Sequence, residues 1–261
     1  MLPLTLEAIQ EAIRLNGAAV ERNLRAFEIG RWAVLYPEDA GQVGAPKVIA
    51  LPKSLDEKIA YRSEHLTAYQ GKRLAKRYAN LLGRISDDAV KEAVAKGYHK
   101  LLAYKDEYEV ARLLLSTRDK AAAEFDGDFN MTFHMAPPLL SKTGLDGRPL
   151  KREFGAWMEK PLRLMAKLKR LRGTPFDPFG YTSERKMERA LIKQYQNDLD
   201  EVLPLLSADT RDAVIALAEL PLQIRGFGPV KHAAEAKAAK RREELLGVIR
   251  AGGTATAKAA E

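Results

Sequence analysis

The sequence predicts a mainly α-helical protein, namely a multi-helix, bundle-like domain with one short extended segment near residues 129–135. Apolar residues recur every three or four positions along most of the chain, and capping residues, glycine or proline bound the resulting stretches. The alternation of period two that is typical of a strand appears near residues 129–135. With 261 residues, 46% of them hydrophobic, the chain is long enough to bury a sizeable core.

The first residues form a separate helical segment in this interpretation. Apolar spacing predicts one helix over residues 6–16 and a second over residues 18–34. Proline and glycine then make residues 35–53 loop-like. We therefore assign residues 1–36 to a helical segment and residues 37–53 to a linker.

Residues 54–250 are predicted to form the main helical domain. Ser54 and Glu57 have the spacing of a capping box, and they open a helix that is predicted to reach Leu82. Later helices are predicted over residues 86–102, 106–123, 158–171, 183–203 and 207–220, and from Pro229 to about Arg250. Residues 251–261 are expected to be a disordered tail.

The extended segment contains a histidine of interest. Phe129, Met131, Phe133 and Met135 alternate with polar residues, and Pro137 and Pro138 end the segment because proline lacks a backbone donor. His134 lies on the polar side, where a general base or a metal ligand would be conceivable. Since no second histidine or paired aspartate has a recognisable spacing, we interpret His134, Pro137 and Pro138 as a structural motif.

Positive charge is concentrated in one part of the chain. The formal net charge is +8, and residues 142–172, the basic segment, contain ten basic but three acidic residues. A basic excess suggests an anionic partner. The candidate anion-docking residues are Lys142, Arg148, Lys151, Arg152, Lys160, Arg163, Lys167 and Arg170.

Helical spacing divides the basic segment into two predicted faces. Lys160, Arg163, Lys167 and Arg170 are assigned to one face, and Leu164, Leu168 and Leu171 are assigned to the other. The alternative interpretation is a solvated helix face whose charges pair with neighbouring helices. The aromatic residues near this segment are expected to pack in the interior; they are Phe154, Trp157, Phe176 and Phe179.

Composition and motifs exclude several kinds of site. The chain has no cysteine, which excludes disulfides, cysteine-ligated zinc, an iron–sulfur cluster held by this chain alone and a thiol nucleophile. His65, His99 and His232 have no histidine partner four residues away, so we predict no metal site. No glycine-rich phosphate loop is visible, and nucleic-acid motifs are lacking, which makes nucleic acid an unfavoured partner.

The same features bear on location. No run of 18 or more apolar residues is present, so we predict no membrane span, and the first residues lack the pattern of a signal peptide. The lack of cysteine fits a reducing compartment. We therefore expect a cytoplasmic protein.

Four stretches carry a resemblance to a known family. Residues 127–140 (GDFNMTFHMAPPLL), residues 151–155 together with 171–181, and residues 223–231 (QIRGFGPVK) resemble the C-terminal domain of the long, fused form of indolepyruvate ferredoxin oxidoreductase. Residues 12–27 are similar to the end of the gamma-type domain of that 2-oxoacid oxidoreductase. The resemblance covers essentially the whole chain.

This resemblance implies a role within a larger enzyme. The family oxidatively decarboxylates arylpyruvates to acyl-coenzyme A and passes electrons to ferredoxin, using thiamine diphosphate, magnesium and iron–sulfur clusters in upstream domains. None of its catalytic or cofactor-binding residues maps onto this sequence. We therefore expect an accessory domain that is inactive alone, packs against the upstream domains of an oligomeric enzyme and docks ferredoxin or coenzyme A at the basic segment. The alternative is a stand-alone basic helical module that binds nucleic acid or an acidic protein.

Overall fold

The protein is mainly α-helical, as predicted. The computed structural model describes residues 4–42, 54–124, 131–136, 150–226 and 229–253. Within these ranges the chain forms eleven α-helices and one two-stranded sheet. None of the helices in the described ranges combines the length and apolar character needed to cross a membrane. The chain divides into two compact units, residues 1–51 and 52–261, which are described separately.

The first unit contains helices α1 (Leu6–Asn16), α2 (Val20–Leu35) and α3 (Pro37–Gln42). The first two were predicted to within two residues, and neither has a buried residue. The prediction of a loop from residue 37 was wrong for α3. Proline is compatible with a first helical turn, because the N–H that it lacks would have no partner there, and Glu38 and Asp39 favour the positive end of the helix dipole. The rest of the predicted linker, residues 43–53, lies outside the described residues.

The second unit begins with helices α4 (Leu55–Tyr69) and α5 (Lys72–Leu82). The capping box is confirmed, since the Glu57 backbone N–H donates to Ser54 Oγ at 3.1 Å and the Ser54 N–H donates to Glu57 Oε2 at 3.2 Å. The single long helix that we predicted is instead broken at Gly71. Gly71 has a backbone φ of +146°, which residues that carry a side chain rarely adopt, so glycine permits the turn between the two helices.

Aspartates begin the next two helices, α6 (Asp88–Leu102) and α7 (Glu107–Glu124). Asp87 Oδ1 accepts hydrogen bonds from the N–H groups of Ala89 and Val90, both at 3.0 Å. Asp106 Oδ1 accepts one from the Glu109 N–H at 2.9 Å. These carboxylates satisfy amide groups that have no partner within the helix.

The sheet and the helix that follows it contain part of the basic segment. Strands β1 (Phe133–Met135) and β2 (Arg152–Phe154) are antiparallel, with Phe133 opposite Phe154. Helix α8 (Glu159–Lys167) is flanked by two short 3₁₀ helices, Ala156–Met158 and Leu168–Leu171. The extended segment is confirmed for residues 133–135. Residues 129 and 130 and residues 137–149, among them Pro137, Pro138, Lys142 and Arg148, lie outside the described residues.

Three helices complete the second unit: α9 (Ser183–Val202), α10 (Arg211–Glu219) and α11 (Pro229–Arg250). Thr182 caps α9 by accepting a hydrogen bond from the Arg185 N–H at 3.3 Å. The predicted disorder was wrong for residues 251–253, which form a turn closed by a 3.0 Å hydrogen bond from the Gly253 N–H to the Val248 carbonyl. Residues 254–261 lie outside the described residues.

Two separate apolar clusters support this arrangement. The main core joins α4, α5 and α6 to α9, α10 and α11, and Tyr98 lies between Tyr78 and Tyr195 with ring centroids 6.1 and 5.9 Å apart. The smaller core contains Ala111, Phe133, Phe154, Met158 and Leu162. It joins α7, α8 and the sheet. Residues 150–167 of the basic segment therefore pack largely against this smaller core.

Candidate docking surface

The faces of helix α8 differ from those that we predicted. Leu162 is 3% exposed and packs with Met158 in the small core, whereas Leu164 is 60% exposed and Leu168 is 39% exposed. The predicted separation of Leu164 and Leu168 from the exposed basic face was therefore wrong. Residues 158, 162 and 165 have the same i, i+4, i+7 spacing as residues 164, 168 and 171, so periodicity alone could not distinguish the two stripes.

The outward face of α8 is basic. Lys160 and Lys167 are exposed and lie seven residues apart, with the exposed Leu164 between them on the same side of the helix. Three further candidates, Lys151, Arg152 and Arg170, are also exposed. Within the described part of the chain, no carboxylate oxygen lies within 4.0 Å of a side-chain nitrogen of these five residues. We call the five residues, Lys151, Arg152, Lys160, Lys167 and Arg170, the basic cluster.

Arg163 is less available than the basic cluster. Its Nη2 lies 2.6 Å from Glu159 Oε1, one helical turn earlier, although 55% of its side chain is exposed. Glu159 Oε2 also lies 3.5 Å from Nε of Arg118 on α7. Arg163 therefore matches the alternative interpretation, in which charges of the basic segment pair with neighbours.

Two other cations of the basic segment point into the protein. Lys169 Nζ donates a 2.5 Å hydrogen bond to the Ala68 carbonyl on α4, and burial together with nearby Arg112 lowers the pKa of Lys169. Arg172 is 4% exposed and pairs with Asp106. These two residues stabilise the fold, and the charge excess available at the surface is smaller than the sequence count indicates.

An exposed tryptophan lies beside the outward face of α8. Trp157 is 63% exposed, and its ring meets the buried Phe154 ring edge to face at a centroid distance of 6.0 Å. The expectation that the nearby aromatic residues pack was wrong for Trp157 and for Phe176, which is 79% exposed. It was right for Phe154 and for Phe179, whose ring packs on Tyr108 at 5.3 Å. Apolar spacing could not reveal this difference, because all four residues flank turns or 3₁₀ segments.

His134 lies at the surface on β1, directly opposite Glu153 on β2. Its Nδ1 is 3.8 Å from Glu153 Oε1, and the two side chains are 59% and 71% exposed. An exposed pair at this distance contributes little to stability. The carboxylate beside His134 was not recognised from the sequence, because the pairing depends on the register of two three-residue strands.

The structure brings together two histidines that the sequence did not connect. His65 on α4 and His99 on α6 meet with Nδ1 and Nε2 3.0 Å apart. Burial, the neighbouring His65 and the positive charge of Arg62 lower the pKa of His99 to about 4. Burial also lowers the pKa of His65, although Glu109 opposes this effect. Among the described residues, no group of three or more His, Cys, Asp or Glu side chains is arranged to hold a metal ion.

Several buried charged side chains lie around the start of α9. Arg185 Nη1, Arg189 Nη1 and Glu107 Oε2 are buried and have no hydrogen-bond partner among the described residues. Burial raises the pKa of Glu107, and the positive charge of Arg185 counteracts part of that rise. Arg189 Nη2 donates to the Gly180 carbonyl at 2.6 Å, and Lys231 pairs with Glu188. Gly180 belongs to residues 171–181 and Lys231 to residues 223–231, so two of the stretches that resemble the oxidoreductase family contact α9.

A small cavity and an open groove lie near these clusters. One cavity of about 40 Å³ lies between α9, α10 and α11, and Leu191, Tyr195, Leu217, Ile224 and Ala238 contribute to its lining. This volume corresponds to very few water molecules. An open groove between α7 and α8 is lined by Arg112, Ser116, Asp119, Lys120 and Ala166, among others. The small cavity admits only molecules of about the size of water, whereas the outward face of α8 is open to a larger partner.

Comparison with known proteins yields one family. The model of the "Family of unknown function (DUF6537)" matches residues 55–244, which is more than half of the chain. The match begins at the first residue of α4 and ends within α11. Comparisons with curated proteins and with solved structures found no match.

Proposed function

The chain belongs to the DUF6537 family of unknown function, and from that premise we propose that it is an accessory helical domain of an arylpyruvate ferredoxin oxidoreductase. In this proposal the domain is not catalytic alone. It packs against the thiamine-diphosphate and iron–sulfur domains of the parent enzyme, which is an oligomer, and presents a basic surface to ferredoxin or coenzyme A.

The basic cluster is the observation that carries the docking role. Its five exposed cations have no carboxylate partner within 4.0 Å among the described residues, so their charges are available to an external anion. Clustered positive charge speeds the encounter with an acidic partner and binds phosphate or carboxylate groups by charge-assisted hydrogen bonds. Ferredoxins are typically acidic, and coenzyme A carries phosphates.

Sequence composition supports the proposal that other domains of the parent enzyme carry the electrons. The biological iron–sulfur clusters that carry electrons are held mainly by cysteine thiolates, and this chain contains no cysteine. Electron transfer in the parent enzyme would therefore use clusters bound by other domains. The resemblance of residues 127–140, 171–181 and 223–231 to the family's C-terminal domain supports the same assignment.

A first experiment tests whether the chain is inactive alone. The purified 261-residue chain is supplied with indolepyruvate, coenzyme A, oxidised ferredoxin, thiamine diphosphate and magnesium. We expect no reduction of ferredoxin above the rate without protein. Turnover by the chain alone would overturn the accessory role.

A second experiment tests docking in a full-length oxidoreductase that carries this domain. Lys160→Glu combined with Lys167→Glu should raise the KM for ferredoxin or for coenzyme A at low salt with little change in kcat, and high salt should reduce the effect. Lys186→Glu combined with Lys193→Glu is the matched control, because these exposed lysines also lie seven residues apart on one helix. If neither KM changes, or if the control pair has the same effect, the basic cluster is not a docking site.

A further inference from the structure

We propose that the outward face of α8 binds an acidic protein through two apolar anchors, Trp157 and Leu164, with Lys160 and Lys167 around them. This inference rests on the proposed function and narrows it, because it selects a protein partner over a free anion such as coenzyme A. The chemistry that it requires of the partner is an acidic surface that contains a small apolar patch.

The anchors and the cations share one side of the helix. Trp157, Lys160, Leu164 and Lys167 follow each other at intervals of three or four residues, which places them in one stripe along the helix. Trp157 and Leu164 are 63% and 60% exposed, and the next turn adds Leu168 at 39%. Three large apolar side chains are therefore exposed along this stripe, and Leu164 lies between two lysines that have no carboxylate partner within 4.0 Å among the described residues.

The small core supports Trp157 and the helix that carries Leu164. The Trp157 ring packs edge to face on Phe154, which is 8% exposed and belongs to the small core. On the opposite side of α8, Leu162 is 3% exposed and holds the helix against the same core. A side chain that is already positioned loses less conformational entropy when it binds, which suits Trp157 to the role of an anchor.

Exposed leucines beside a tryptophan favour a protein partner. A phosphate or a nucleic acid gains affinity from cationic donors and from stacking on aromatic rings, but it gains little from Leu164 and Leu168. Protein interfaces instead use tryptophan anchors in a central apolar patch, and surrounding charges steer the approach.

The pattern of the stripe argues against a lipid surface. A helix that lies in a membrane interface segregates its apolar residues to one face and its cations to the opposite one. On α8 the lysines and the exposed leucine alternate on the same face, while the purely apolar face is buried in the small core. The nine residues of α8 also offer a small area, which fits the weak, transient complexes that electron-transfer proteins form.

The surroundings of Trp157 are tested with the chain alone. The sequence has two tryptophans, so Trp32→Phe leaves Trp157 as the only tryptophan emitter. Because Lys160 follows Trp157 by one turn and Lys167 lies further along the same stripe, iodide should quench the fluorescence of Trp157 more efficiently than caesium. Lys160→Glu combined with Lys167→Glu should reverse the order. Equal quenching by the two ions in the parent variant would overturn the cationic setting of the anchor.

Binding is tested by titration calorimetry of the 261-residue chain with oxidised ferredoxin at low and high salt. Trp157→Ala and Leu164→Ser should each raise Kd roughly tenfold at both salt concentrations. The lysine pair substitution should raise Kd mainly at low salt. Matched controls are Tyr61→Ala and Leu205→Ser, whose side chains are 63% and 44% exposed elsewhere in the second unit, and both should leave Kd unchanged.

The outcomes separate this inference from the proposed function. If ferredoxin binds and the lysine pair matters while Trp157→Ala and Leu164→Ser leave Kd unchanged, the apolar anchors are wrong but the docking role stands. If ferredoxin does not bind the wild-type chain at low salt, this inference fails, and the docking role stands only if coenzyme A binds in a way that depends on the lysine pair. If coenzyme A, a DNA oligonucleotide or phosphatidylserine vesicles bind with the dependence on Trp157 that we assign to a protein partner, the choice of a protein partner is overturned.

Discussion

Arg172 and Asp106 form a bidentate ion pair in the protein interior. Arg172 Nε lies 2.5 Å from Asp106 Oδ2, Nη2 lies 2.7 Å from Oδ1, and both side chains are at most 3% exposed. The remaining guanidinium nitrogen donates to the Tyr69 carbonyl at 3.0 Å, and the guanidinium carbon lies 3.6 Å from the Tyr69 ring centroid. Arg172 therefore ties the end of the basic segment to α4 and to the first turn of α7.

Removal of one partner of this pair should strongly destabilise the second unit. Arg172→Met leaves the Asp106 carboxylate buried without its counter-charge, and we expect the free energy of unfolding to fall by about 3–5 kcal/mol. Urea denaturation followed by circular dichroism measures the change. The exposed Arg170 is the control, since Arg170→Met should change stability by less than about 0.5 kcal/mol. A similar small loss for Arg172→Met would contradict the importance of the pair.

The His65–His99 contact should make stability depend on pH. The pKa of His99 is about 4 in the folded protein, below the unfolded value of 6.5, so the unfolded chain binds more protons between these values. The contribution of His99 to the free energy of unfolding should therefore be fully present above pH 6.5. It should be lost, by up to about 3 kcal/mol, as the pH drops toward 4.

Histidine variants separate this contribution from other titrations. In His99→Gln the dependence of stability on pH between 4 and 6.5 should become weaker, although His65, whose pKa is also lowered, retains part of it. His134→Gln is the matched control for the loss of a histidine, because His134 lies at the surface and takes no part in the His65–His99 contact. An unchanged slope in His99→Gln would show that protonation of this contact does not limit stability.

Glu107 should have the opposite dependence on pH. Burial raises its pKa above 4.5, so the folded state favours the protonated form, and stability is lost as the pH rises above 4.5. Glu107→Gln, which resembles the protonated acid, should therefore stabilise the protein at pH 7. We expect a gain of up to about 1 kcal/mol, because partial exposure screens the charge. The gain should disappear at pH 4, and a loss of stability at pH 7 would indicate a favourable interaction of the carboxylate with Arg185.

Gly97 permits the close approach of α6 and α10. A Cβ atom at residue 97 would lie 2.1 Å from the Ala218 carbonyl oxygen and 2.9 Å from the Tyr195 hydroxyl. Gly97→Ala should therefore lower the free energy of unfolding by about 2 kcal/mol or more. Gly247→Ala on α11 is the matched control, because nothing lies within 4 Å of its added Cβ. Since alanine favours a helix over glycine, this control should be neutral or stabilising by about 0.5–1 kcal/mol in thermal or urea unfolding.

Local features of the chain were predicted well where one element contains all the information. The cap at Ser54 is confirmed because a capping side chain acts within three residues of its own position. The break at Gly71 was missed, because apolar residues continue with helical spacing on both sides of it. The short strand β2 was missed as well, since three residues are too few to show an alternation.

The candidate site was predicted only in part. The basic segment and the exposure of Lys160 and Lys167 follow from the sequence, but the assignment of Leu164 to a different face from these lysines was wrong. Two apolar stripes of equal spacing compete on α8, and burial of Met158 and Leu162 depends on the packing of α7 and the sheet against them. Residues far apart in sequence, such as His65 and His99, leave no spacing signal at all.

The amino-acid sequence was therefore sufficient for the mainly helical fold, for most helix boundaries and for the concentration of positive charge near α8, because propensity, capping and composition act over short distances. Which charges remain at the surface depends on partners brought from elsewhere in the chain. Arg172 is neutralised by Asp106 and Lys169 is held by the Ala68 carbonyl, whereas Lys160 and Lys167 stay free of carboxylates among the described residues. Long-range packing thus separates the cations that stabilise the fold from those that are offered to a partner.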